Sequence, residues 1–219
     1  MRSLVVLLVV AACGSSAEHR EPSALPACVA DGLGPLRNLP RLDTACTQPG
    51  RSCKRACDAG DADGCVQYGY DLQREKAGGA ADAAFARACS LRLAIGCTNT
   101  GAYLWLDHQP AAAADVACAR RLFDRSCDVR EAFACGMKGR MLASDATTPE
   151  AREVARRFFD RTCTELGAMS CRMYALHLER GDLGDADPAT IKALLRRACE
   201  TGDDDACGDH ATAGETFHD

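Results

Sequence analysis

The sequence predicts an all-α fold, an α/α right-handed solenoid of five disulfide-stapled helix-turn-helix repeats. Three observations lead there. Cysteines recur in five pairs, each eight residues apart: Cys57/Cys65, Cys89/Cys97, Cys127/Cys135, Cys163/Cys171 and Cys199/Cys207. Successive pairs are offset by 32, 38, 36 and 36 residues, and a near-constant period of this size marks a stack of supersecondary units. The residues before each pair keep a helical period. In Ala155-Arg-Arg-Phe158-Phe159-Asp-Arg-Thr162-Cys163, apolar or small residues fall at i, i+3, i+4, i+7 and i+8, which is one helix face.

Composition points the same way. The chain has 219 residues and 15 Cys. Its apolar fraction is 47%, but 40 Ala and 15 Cys supply more than half of that, and aromatics are only 5%. A single core of large side chains is therefore not expected. A net charge of −5 argues against nucleic acid as a partner. So many thiols in a reduced, exposed protein would be a hazard, and an oxidising compartment with a disulfide framework accounts for them.

Residues 1–12 are expected to be an export signal. Arg2 is a short positive region, Leu4 to Val10 is an apolar run, and Ala11 and Ala12 precede Cys13; the run is too short to span a bilayer. Val10-Ala11-Ala12-Cys13 resembles a bacterial lipobox. That resemblance implies cleavage before Cys13, lipidation of Cys13 and anchoring by several acyl chains, each buried methylene contributing about 0.8 kcal/mol. Gly14 at the next position, by the same resemblance, implies sorting to the outer membrane. Residues 13–48 then read as a lipidated Cys13 followed by a flexible tether. Pro22, Pro26, Pro35, Pro40, Gly32 and Gly34 leave no periodicity there.

Repeats are expected over residues 49–214, in units of about 49–78, 79–109, 110–147, 148–186 and 187–214, with a loose tail at 215–219. Numbering each unit from its first paired cysteine exposes further rows. Position −2 is always Arg: Arg55, Arg87, Arg125, Arg161 and Arg197. Position −4 is Cys53, Phe85, Phe123, Phe159 and Leu195, and position +12 is Gly69, Gly101, Gly139, Ala175 and Ala211. Position +15 is Leu72, Leu104, Leu142 and Leu178, then Gly214. Each unit reads as a first helix, a tight turn and a second helix. Pro149 and Pro188 sit near first-helix starts, as does Pro110 ahead of the third unit's, where a missing N–H costs nothing. Asp61 and the Gly202-Asp-Asp-Asp run supply turn and cap chemistry. Gly at +12 costs about 1 kcal/mol of helix propensity relative to Ala, so its recurrence argues for a close helix approach. The −2 arginines lie in the last turn of the first helix, where a cation complements the helix dipole.

The 36-residue period and stretches such as Arg197-Ala-Cys199-Glu-Thr-Gly202-Asp-Asp-Asp-Ala-Cys207 resemble the Sel-one-like repeat, in its cysteine-rich bacterial branch of the tetratricopeptide superfamily. The resemblance covers about residues 49–214. The second and third units depart from it at the turn glycine, with Arg92 and Arg130 in its place, and in the fourth Gly167 comes one residue late.

Four cysteines lie outside the pairs and the lipobox: Cys28, Cys46, Cys53 and Cys118. A disulfide needs Cα atoms within about 7 Å, which helices two units apart exceed. Cys118 is therefore expected as a free, partly buried thiol or an intermolecular bridge. One of Cys28, Cys46 and Cys53 is then left over too, and Cys46–Cys53 is the favoured extra pair.

Catalytic signatures are missing. No Ser is followed by Lys at +3. His19, His108, His177, His210 and His218 are dispersed, without the clustering a zinc site needs. Cys53-Lys-Arg-Ala-Cys57 has one residue too many for a thioredoxin-like motif. No cofactor and no metal are expected. The leading expectation is a non-catalytic, monomeric scaffold of a Gram-negative-type cell envelope, an outer-membrane lipoprotein facing the periplasm or cell surface that binds a protein or peptide. An Arg121, Arg157 and Arg197 ladder is the candidate surface for an acidic partner. Two alternatives stand beside it: a β-lactamase or penicillin-binding-like protein, implied by family resemblance only, and a periplasmic assembly factor or signalling adaptor.

Overall fold

The structure, a computed structural model, describes residues 28, 33–38, 46, 51–107 and 110–212. The signal segment 1–12, Cys13, the rest of the 13–48 stretch, His19, His108, His218 and the 215–219 tail lie outside the described residues. Within them the fold is all-helical, with ten α-helices and no strand. In chain order they are α1 (Arg51–Asp58), α2 (Ala62–Arg74), α3 (Gly78–Ser90), α4 (Ala94–Ala102), α5 (Ala113–Asp128), α6 (Ala132–Asp145), α7 (Pro149–Leu166), α8 (Ala168–Glu179), α9 (Pro188–Glu200) and α10 (Asp204–Thr212). A π-helical turn, Tyr103–Asp107, continues α4. Two helices fall in each of the five repeat spans. Each helix packs on the next, and α2, α4, α6 and α8 also meet one another in succession. No described helix is long and apolar enough to cross a membrane.

The turns inside the units share one hydrogen-bond pattern. In unit one the Asp61 N–H donates to the Ala56 carbonyl and the Gly60 N–H to the Cys57 carbonyl. The same two bonds recur at Leu93 and Arg92, at Glu131 and Arg130, and at Asp203 and Gly202. This is the Schellman end of a helix, and its key residue sits in the left-handed region. Gly60 and Gly202 take φ of 91° and 100° there, but Arg92 and Arg130 take 66° and 63°. The missing glycines thus leave the turn intact, with a left-handed non-glycine residue costing about 1–2 kcal/mol. Unit four does differ. Its first helix α7 runs on past Cys163 to Leu166, and Gly167 at φ 63° makes the turn instead.

Second helices then need caps. Asp61 accepts from Asp63 N and Gly64 N, Glu131 from Phe133 N and Ala134 N, and Asp203 from Ala206 N. Among first helices, Thr148 and Asp187 cap α7 and α9, each with Pro at the first helical position. Pro110 stands ahead of α5, which starts only at Ala113.

Between units, the +12 and −4 rows meet. A Cβ built on Gly69 would lie 2.6 Å from the Phe85 ring, and one on Gly101 would lie 2.8 Å from Phe123. Gly139 stands in the same way over Phe159. At the last junction Ala175 and Leu195 share one apolar cluster. Each phenylalanine is fully buried beneath the preceding second helix. The interior is accordingly a series of small clusters rather than one core.

Candidate functional site

All the described cysteines are disulfide-bonded. Cys57–Cys65, Cys89–Cys97, Cys127–Cys135, Cys163–Cys171 and Cys199–Cys207 have Cα–Cα distances of 4.3, 4.4, 4.7, 4.4 and 4.7 Å, each clamping the two helices of one unit. The expected pairings therefore stand. Cys65 and Cys97 are 0% exposed and belong to the interior. The reason is the position of the second helix, which is packed between the first helices of its own unit and the next. Cys65 of α2 joins the apolar cluster of Ala81, Phe85 and Ala88, and Cys97 of α4 joins that of Leu122 and Phe123.

Cys46 and Cys53 also bond, with Cα atoms 4.6 Å apart. Cys118 is neither a free thiol nor an intermolecular bridge. It bonds Cys28, with Cα atoms 5.1 Å apart across a sequence separation of 90. The distance argument compared helices with helices. The partner comes instead from the stretch ahead of the repeats, which turns back onto unit three.

That stretch is held in place over residues 33–38, where a flexible tether was expected. Leu33 and Leu36 pack against the cluster of Ala119, Leu122 and Phe123. Arg125 donates to the carbonyls of Leu33 at 2.6 Å and Gly34 at 2.7 Å. Arg37 makes a parallel β-bridge with Leu93. Its N–H donates to the Arg92 carbonyl, and its own carbonyl accepts from Ala94 N, both at 2.9 Å. The second bond explains an anomaly of sequence. Leu93 stands where units one, three and five have an acidic cap, and α4 has no side-chain cap; the Arg37 carbonyl meets its first N–H instead. The Arg37 guanidinium also reaches the buried Asp63 of α2 at 2.9 Å. Asn38 donates to the Arg130 carbonyl at 2.9 Å. A non-helical segment thus lies along the turn end of units one to three, seated against α5. Two sequence signals pointed here without being decisive: two leucines inside a Pro/Gly-rich stretch, and an even number of cysteines outside the five pairs.

Grooves in the same register open elsewhere. One of about 530 Å³ lies between α1 and α3 and is lined by Cys57, Tyr68, Ala80, Ala83, Ala84 and Arg87. Another of about 610 Å³ lies between α7 and α9, with Asp160, Thr190, Leu194, Arg196, Arg197 and Glu200. The −2 arginines border both. Arg87 donates to the Asp58 carbonyl at 3.0 Å and Arg197 to the Thr164 carbonyl at 2.9 Å. The cation therefore bonds the end of the preceding unit's first helix, rather than serving only its own.

Arg121, Arg157 and Arg197 do not form one row. Arg121 on α5 and Arg157 on α7 hold position −6, while Arg197 on α9 holds −2, one helical turn along. The −6 position of α9 is Ala193. Arg157 is exposed and lies 3.9 Å from Glu153 of its own helix.

Buried ionisable groups serve packing. Glu131 accepts from the Thr98 hydroxyl at 2.6 Å while capping α6, and burial pushes its carboxyl up from the usual range. His177 is 4% exposed. Its Nδ1 lies 2.7 Å from Asp182, and its ring centroid lies 5.8 Å from that of Phe159. Burial lowers the His177 pKa, with Asp182 opposing that shift and Arg140 and Arg180 adding to it. The unfolded chain therefore takes up this proton at higher pH than the folded one. Stability is full above the ordinary His pKa of about 6.5 and falls on acidification through that value. We expect the urea midpoint to drop between about pH 7 and pH 5, and His177→Gln to flatten that drop. An equal drop in the variant would show that other groups cause it.

Disulfide-bonded cysteines supply neither nucleophile nor thiolate ligand. Among the described residues no three His, Cys, Asp or Glu side chains cluster as metal ligands would. No family model matches the chain, and no curated protein matches it.

Proposed function

We propose that this chain is a non-catalytic binding module, a right-handed solenoid of Sel-one-like repeats that offers the grooves between successive first helices to a protein or peptide partner. The observation that carries the reading is the seat of residues 33–38. One inter-helix groove accepts a non-helical peptide segment, through apolar contacts and an arginine on its backbone carbonyls. Stacked helical pairs repeat such a groove along one face. The paired cysteines support an oxidising compartment, and with the Cys13 lipobox resemblance the reading places the module in the cell envelope, tethered by lipid.

Site-specific photocrosslinking in cells tests it. A photoreactive residue at Ala83 or Thr190, in the two open grooves, is expected to give discrete protein adducts. The same residue at Glu150, on the first turn of α7 outside either groove lining, is expected to give none. Equal labelling at all three positions, or none at any, would overturn the binding reading. A lipid-sized mass increment on Cys13 in membrane-extracted protein tests the anchor separately.

A further inference from the structure

Residues 33–38 show which rows of a first helix receive a peptide. On α5 the contacts fall at Cys118, which is bonded to Cys28, at the buried cluster containing Leu122, against which Leu33 and Leu36 pack, and at Arg125, which holds two backbone carbonyls. Counted from the first paired cysteine these are positions −9, −5 and −2. The same positions on α3 are Ala80, Ala84 and Arg87, and all three line the open α1/α3 groove.

The substitutions between the two helices change what the groove can hold. Alanine at −9 and −5 leaves the volume that Cys118 and Leu122 fill on α5, and Ala83 at −6 replaces the long Arg121. Ala80 and Ala83 are exposed, whereas Ala84 and Cys57 form a buried floor and Tyr68 is a half-buried wall. The lining is mostly apolar, with Arg87, Asp58 and Ser90 at its edge. A guanidinium has five N–H donors, so the bond to Asp58 does not exhaust it; Arg125 holds two carbonyls at once. The α7/α9 groove is a poorer match for the same chemistry, because Asp160, Arg196 and Glu200 charge its rim. The α1/α3 groove also continues an interface already in use, since Arg37 reaches Asp63 of α2 in unit one.

We infer that the α1/α3 groove docks an uncharged, aliphatic, non-helical segment of a partner protein. The ligand resembles the Leu33-Gly34-Pro35-Leu36 stretch, sets aliphatic side chains against Ala80, Ala83 and Tyr68, and presents a backbone carbonyl to Arg87. Pro and Gly suit such a ligand because they hold it out of a helix. This inference rests on the binding-module reading and names its ligand class.

The test uses the oxidised full chain and, as probe, a fluorescent capped peptide with the sequence of residues 32–36, which has no charged side chain. The resident segment is held by Cys28–Cys118, so the probe meets an occupied groove at α5 and an open one at α3. Saturable binding is expected. Ala83→Trp, which fills the groove from an exposed position, is expected to weaken it at least about tenfold, and Arg87→Ala, which removes a charge-assisted hydrogen bond, about tenfold. A probe with both leucines replaced by Ala is expected to lose binding. Far-UV helicity equal to that of the unsubstituted chain guards against misfolding. Unaltered affinity in Ala83→Trp with loss in Thr190→Trp would move the site to the α7/α9 groove, overturning this inference and leaving the module reading in place. No saturable binding, or equal binding of the leucine-free probe, would overturn it as well. Failure of the module reading itself is read separately, from the photocrosslinking.

Discussion

Reductant is expected to abolish most of the helical signal of this protein and its cooperative melting. Each disulfide between cysteines eight apart closes a loop of about nine residues and contributes roughly 2–3 kcal/mol by restricting the unfolded chain, so the five together supply on the order of 10 kcal/mol. Cys28–Cys118 closes a loop ten times longer and adds about 4–5 kcal/mol on the same scale. A domain of this size is stable by about 5–15 kcal/mol in total. The apolar clusters between units are small and rich in alanine, each with only a handful of larger side chains such as Leu122, Phe123 and Met137 in one of them, so they offset only part of the loss. Far-UV circular dichroism during a thermal scan, with and without a dithiol reductant, measures this. A retained signal with an unchanged midpoint would mean that packing alone holds the stack. Cys28→Ser with Cys118→Ser separates the long bridge from the short ones: stability is expected to fall while the helices persist.

Phe159→Ala is expected to cost about 3–5 kcal/mol, the range for truncating a fully buried aromatic side chain. Phe159 is 0% exposed and joins two units. Gly139 of α6 lies on one side, and the Tyr174 ring stacks 5.3 Å away with planes 4° apart. The cavity cannot close readily, because Cys127–Cys135 and Cys163–Cys171 clamp the helices on either side. Denaturant unfolding gives the number, and a loss below about 1 kcal/mol would mean the junction relaxes into the space. Gly139→Ala probes the contact from the other side. Alanine gains up to about 1 kcal/mol of helix propensity, yet its Cβ would press into the Phe159 ring, at an overpacking cost of roughly 1–3 kcal/mol. Net destabilisation is the expected sign.

Much of the repeat's interior was legible because its determinants are short-range and recur. A cysteine eight residues after another across a helix turn has few other places to go. The spacing that pairs Cys65 and Cys97 does not say how deeply they lie, since their burial depends on the helix of the next unit. A glycine row that costs helix propensity in the first three units signals a close approach, and the Phe85, Phe123 and Phe159 rings are what approaches. Arg92 and Arg130 were less legible. Their left-handed backbone is imposed by the Schellman turn around them, against their own preference. The −2 arginines were visible as a row, but their bonds to Asp58 and Thr164 cross to the preceding unit, and no local spacing encodes a partner about 30 residues away.

An all-helical chain of disulfide-bonded helix pairs follows from residue order, because helix period, cap residues and loop closure act over a few residues and repeat in every unit. The fate of Cys28 and residues 33–38 was settled by tertiary packing. Their pairing with Cys118, Arg125, Leu93 and Asp63 spans from about 30 to 90 residues of chain and has no period to betray it. A segment that reads as a loose tether becomes, through the Arg37 carbonyl, a cap for α4 and, through its leucines, an occupant for a groove once folding brings α2 to α5 within its reach.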